Sequence, residues 1–126
     1  MDGKIALVLF AGPEMPCKLQ HAFLFARDVA GRGGQACIVF EGNSPRWLPE
    51  LADAEHALFR LFNTVKDEGL IAGVCRGCAQ VHGVVETAEA MGLPPFLVFG
   101  SMPASSILRS RRCRVMMPSK TARAPP

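Results

Sequence analysis

The chain has 126 residues, 49% hydrophobic and 20% charged, which is enough apolar content for one packed domain and too little length for two. Its formal charge of +3 is modest, and the excess is concentrated in Arg109, Arg111, Arg112, Arg114, Lys120 and Arg123, a stretch with no acid. This composition excludes wholesale disorder and leaves nucleic acid an unexpected partner, because a basic face interleaved with aromatic residues and a recognisable module is what such binding uses.

No apolar run reaches the roughly 20 residues a membrane helix needs, so no membrane contact is expected. Residues 1–4 lead straight into a strand-sized apolar run, without the longer apolar core of a signal peptide. Five cysteines, an odd number, argue for reduced thiols in place of a disulfide framework. A cytoplasmic protein is expected.

Strand and helix signals then alternate. Residues 4–10 form a continuous apolar run of the length of a strand buried on both faces, broken by a loop with one glycine and two prolines. Residues 17–30 place Leu19, Ala22, Phe23, Ala26, Val29 and Ala30 on one helical stripe, stopped by the glycines of residues 31–34. Residues 35–40 repeat the strand pattern and residues 41–45 the turn chemistry. From Trp47 to Asp67 the apolar spacing predicts one long helix, with Pro49 tolerated in its first turn and Gly69 ending it. Residues 70–74 predict a third strand and residues 79–91 a third helix, with Val81, Val84, Val85, Ala88 and Met91 apolar. Beyond lie a predicted fourth strand at 96–99, a short helix at 104–111, a weaker fifth strand at 113–117, and an extended tail at 118–126.

Strands alternating with helices imply right-handed crossovers, and the expected architecture is a three-layer α/β/α domain around a mostly parallel sheet of about five strands. Residues 1–117 make up that domain and residues 118–126 the tail. Ligands in such sheets gather at the carboxyl ends of the strands near a switch in strand order, which points to the loops starting at Ala11, Glu41, Cys75 and Gly100.

One of those loops stands out. Val74-Cys75-Arg76-Gly77-Cys78-Ala79 joins the third strand to the third helix, where free backbone amides and the helix dipole favour an anion such as a thiolate. A Cys-x-x-Cys pair at a helix start, with Arg76 between, is a setting for a lowered thiol pKa and a nucleophilic sulfur. Cys75 and Cys78 are the candidate catalytic residues, with Cys17 and Arg76 as candidate substrate contacts. Two thiols that simply pack a tight turn are the plainer alternative. A metal site is a third: His21 follows Cys17 by four residues and His82 follows Cys78 by four, so Cys17, His21, Cys75, Cys78 and His82 exceed the four ligands of tetrahedral zinc. Cys37 and Cys113 fall in predicted strands and read as packing residues, and His56 has no evident partner. No phosphate-loop, dinucleotide or Gly-x-Ser-x-Gly pattern occurs, so no cofactor is expected.

Taken together, the first strand at 4–10, the long helical stretch from about 51 to 69 running into Leu70-Ile-Ala-Gly-Val-Cys75-Arg-Gly-Cys78-Ala, and the Met91-Gly92-Leu93 helix end resemble the DsrE/DsrF-like family of small α/β proteins, which includes subunits of bacterial sulfur relays. The resemblance spans about residues 4–117. It implies that Cys75 or Cys78 takes up and passes on a persulfide sulfur, that the chain is a homo- or hetero-oligomer, and that its partners are a sulfur donor and an acceptor protein. Whether the chain turns over a substrate is left open. The alternatives are a metal-binding or ligand-sensing module without turnover, and a structural oligomer subunit.

Overall fold

A computed structural model describes residues 3–93, 95 and 96. The predicted helix at 104–111, the fifth strand, the tail and Cys113 lie outside the described residues. Three continuous apolar segments become strands β1 (Lys4–Leu9), β2 (Gln35–Phe40) and β3 (Ile71–Cys75), and a two-residue strand β4 (Pro95–Phe96) follows. All four pair in parallel, in the order β1-β2-β3-β4. β2 is covered on both faces, with Ala36 to Phe40 all buried, whereas residues 5–8 of β1, which among the described residues pairs on one side only, are half-buried.

The sequential order has a consequence for the layers. When each parallel strand is added beside the previous one through a right-handed crossover, every connecting helix falls on the same face. The packing follows this rule. Leu19, Phe23, Ala26 and Val29 of α1 (Pro16–Gly31), Trp47, Leu48 and Leu51 of α2 (Trp47–Leu51), Phe62 and Val65 of α3 (Phe59–Asp67), Ala79 of α4 (Arg76–Val81) and Ala88 of α5 (Val85–Ala90) join one core with Leu9, Ala36, Ile38, Phe40 and Val74. The opposite face holds a smaller apolar cluster of Cys37, Val39 and Ala72, with Ala6, Cys75 and Phe96 against it. The described elements thus form an α/β domain with a four-stranded parallel sheet and one helical layer, and no reversal of strand order occurs among them.

Two predicted helices are each two. The stretch from Trp47 to Asp67 breaks between α2 and α3, where short polar side chains offer the backbone other partners: Asp53 Oδ1 accepts the Glu55 N–H at 2.9 Å and His56 Nδ1 accepts the Leu58 N–H at 3.0 Å. The Trp47 ring lies edge-on to His56, 5.9 Å between centroids, and its Nε1 donates to the Ala11 carbonyl at 3.0 Å, so the loop after β1 is tied down to α2. The stretch 79–91 breaks at Gly83, whose φ of +67° lets the Val84 N–H turn back to the Ala79 carbonyl (2.9 Å) and the Gly83 N–H to the Gln80 carbonyl (3.2 Å). The outcome for the site is a helix α4 of only six residues after β3.

Candidate thiol and carboxyl site

The carboxyl ends of β2 and β3 lie side by side, with Phe40 opposite Val74, so the residues that follow each strand meet. Cys75 is the last residue of β3 and caps α4 in an extended conformation (φ −63°, ψ 125°), and Cys78 is the third residue of that helix. Glu41 follows β2 directly. The Glu41 N–H donates to the Leu9 carbonyl at 2.9 Å and to Ser44 Oγ at 2.8 Å, and the buried Ser44 hydroxyl in turn lies 2.7 Å from the Leu9 carbonyl. This clasp between the ends of β1 and β2 turns the Glu41 side chain inward, where it is buried.

The result is a compact group. Glu41, Cys75 and Cys78 each bring one oxygen or sulfur to within 4.8 Å of the other two, the one such cluster of His, Cys, Asp or Glu among the described residues. Cys78 Sγ donates to Glu41 Oε1 at 3.3 Å and accepts the Gly42 N–H at 3.2 Å. Glu41 Oε2 is buried without a hydrogen-bond partner. Gly42 has a φ of +61°, a conformation that suits glycine, and this aims its N–H at the sulfur. The Gly42 carbonyl lies 3.1 Å from His82 Nε2, so one residue ties the loop after β2 to both Cys78 and the end of α4. Beside the sulfur opens a cavity of about 300 Å³ lined by Gly42, Asn43, Gly77, Cys78, Val81 and His82. Val81 is 80% exposed on its rim.

Electrostatics at Cys78 run opposite to the expectation of a helix-activated thiolate. Burial pushes its thiol up to about 11, the Gly42 N–H works against that rise, and the neighbouring Cys75 thiol and the Glu41 carboxyl, which accepts the S–H, add to it. The physical reason lies in the length of α4: a six-residue helix sums few peptide dipoles, whereas the carboxyl and the loss of water act at contact distance. Arg76 does not offset them, since its Nη2 is directed to the Pro95 carbonyl, 3.5 Å away.

Cys75 and Cys78 thus come together as the spacing suggested, and the three residues that the metal alternative adds to them do not all follow. Cys17 and His21 are exposed near the start of α1, outside the cluster, and His82 borders the cavity with its Nε2 engaged by the Gly42 carbonyl. Cys37 is fully buried in β2 and, contrary to the expectation that the cysteines are reduced thiols, it is disulfide-bonded. His56, which had no evident partner, accepts from the Leu58 backbone and packs against Trp47. Sequence reasoning pointed to the loop starting at Glu41 as a strand end but named none of Glu41, Gly42 and Ser44 as a site residue. The available signal was an acid directly after a fully apolar strand, at a strand end where ligands gather.

Among curated proteins, a stretch of 88 residues is 32% identical to the uncharacterized protein MJ0733 of Methanocaldococcus jannaschii, covering 66% of this chain and 69% of that protein. No protein-family model matches the chain, and no solved structure matches it. Identity of this level across two thirds of both sequences places them in one family, and the chain belongs to the family of the uncharacterized archaeal protein MJ0733.

Proposed function

We propose that the chain is a cytoplasmic sulfur carrier in which Cys75 accepts sulfane sulfur and Cys78 is its protonated neighbour. The observation that carries this reading is the placement of two thiols and a buried carboxyl within 4.8 Å at the carboxyl ends of β2 and β3. The resemblance of the strand-to-helix turn to DsrE/DsrF-like sulfur relays supports it, and with that resemblance go a three-layer domain completed by later residues, an oligomeric state, and donor and acceptor proteins as partners.

The chemistry needs a thiolate and a donor persulfide. The Cys75 sulfur attacks the outer sulfur of the donor, a new S–S bond forms on Cys75, the donor's S–S bond breaks, and the donor leaves as a thiolate that takes up a proton. The transferred sulfur keeps its oxidation state. A persulfide beside a second thiol has a competing fate: the second thiolate attacks the inner sulfur, giving a disulfide and expelling hydrosulfide. A Cys78 thiol pushed up to about 11 stays protonated near neutral pH, which slows that loss and leaves the sulfur for an acceptor thiolate.

The test is to incubate reduced, chelator-treated protein with glutathione persulfide and measure intact mass. One added sulfur is expected in wild type and in Cys78→Ser, and none in Cys75→Ser. No uptake in wild type, or equal uptake in Cys75→Ser, sinks the reading.

A further inference from the structure

We propose that Glu41, Cys75 and Cys78 form a binding site for a thiophilic divalent cation of the zinc class, with three protein ligands and a fourth position open to solvent. The inference stands on geometry and does not need sulfur transfer to occur.

The first argument is the donor set. Two sulfurs and one carboxyl oxygen suit a borderline-soft cation, and neither calcium nor magnesium is held by thiolates. The second is distance. Zinc–sulfur bonds of about 2.3 Å and zinc–oxygen bonds of about 2.0–2.2 Å at tetrahedral angles put donor atoms roughly 3.3–3.8 Å apart. Cys78 Sγ and Glu41 Oε1 are already 3.3 Å apart, and no pair among the three exceeds 4.8 Å, so closing around an ion requires a shift of about an ångström.

The third argument is the orphaned oxygen. Glu41 is 7% exposed, and its Oε2 is buried with no partner, a condition that costs free energy and that few native side chains keep without a reason. A cation that the carboxyl grips through both oxygens gives Oε2 a partner and removes that cost. The fourth argument is rigidity. Glu41 is held by Ser44 and the end of β1, and the next residue, Gly42, is clamped between Cys78 and His82, so the carboxyl and the helix carrying Cys78 are fixed relative to each other before any ion arrives. Cys75 and Cys78 are only half-buried, which leaves a face for a water or a fourth ligand. Each thiol releases its proton as its sulfur–metal bond forms, so binding exchanges two protons for one cation.

The experiment titrates reduced, chelator-treated full-length chain with Co²⁺ and then displaces it with Zn²⁺. The expected result is one cobalt per chain with a thiolate-to-cobalt charge-transfer band, bleached by zinc, and affinity lowered by about 10-fold or more in Glu41→Gln. In wild-type protein, zinc also shields Cys75 and Cys78, and not Cys17, from alkylation, a readout that requires no variant. Absence of the thiolate band, unchanged affinity in Glu41→Gln, or zinc that leaves Cys75 and Cys78 unshielded overturns the proposal. Sulfur uptake is measured on chelated protein, so a chain that takes sulfur and no cation defeats this inference alone, and one that binds the cation and takes no sulfur defeats the carrier reading alone.

Discussion

The Cys78 thiol offers a quantitative check on the site. Its rise from an ordinary 9.0 to about 11 makes ionisation roughly a hundredfold less favourable. At pH 8 about one Cys78 in a thousand is then a thiolate, against about one in ten for an ordinary thiol, so its alkylation should be roughly a hundredfold slower. The assay is iodoacetamide labelling of reduced, chelated protein from pH 7 to 11, with Cys78 modification followed by mass spectrometry and the urea-unfolded chain as reference. Hindered access slows labelling equally at every pH, whereas a raised pKa moves the midpoint, and the midpoint is the quantity to read. Glu41→Gln should lower that midpoint without restoring the ordinary value, because burial, the largest cause, stays in place. The same shift is a statement about stability. A thiol that holds its proton more tightly when folded contributes fully below about pH 9 and loses that contribution as pH rises toward 11, by at most a few kcal/mol and less where water screens the half-buried sulfur. Urea unfolding of wild type and Cys78→Ser at both ends of that window isolates this loss from the titration of lysines. A Cys78 midpoint at or below 9 in folded protein would refute the account of the site.

Two further outcomes test the fold that positions it. Gly42→Ala places a Cβ at φ +61° and 3.0 Å from Phe10 Cδ1; the exposed ring can swing aside, so the backbone dominates and the loss should be about 1–2 kcal/mol in urea denaturation. A loss indistinguishable from zero would mean that Gly42 is not left-handed and does not direct its N–H at Cys78. Phe23→Ala removes a fully buried ring that faces Phe62 at 6.2 Å between α1 and α3, at a cost of about 3–5 kcal/mol, a large share of what a small domain has. Thermal unfolding that shows less than about 1 kcal/mol lost would remove α1 from the shared core.

Much of the architecture is legible one element at a time, since each strand and the first helix announce themselves by local pattern. Residues 36–40 are apolar throughout because β2 is covered on both faces, and the stripe from Leu19 to Val29 faces the core as its spacing requires. The helix breaks were also local, written in Asp53, His56 and Gly83, but apolar periodicity continues across them and conceals them. The pairing of Cys75 with Cys78 follows from three residues of separation and a strand-to-helix turn.

What local pattern could not supply is the company those thiols keep. Glu41 lies 37 residues from Cys78 in the chain, and only the lateral pairing of β2 with β3 carries the one to within 3.3 Å of the other. Cys17 and His21, placed on an attractive spacing, remain on the exposed face of α1 because sheet order, a property of the whole chain, decides which strand ends become neighbours. The direction of the Cys78 pKa has the same origin. Sequence shows a cysteine at a helix start beside an arginine, which argues for an anion; tertiary structure shortens the helix, directs the arginine to β4 and sets a buried carboxyl against the sulfur. Sequence determined that this protein has strands, helices and a two-cysteine turn between them, because those depend on neighbours along the chain. The chemical state of that turn depends on neighbours through space, and folding alone assembled them.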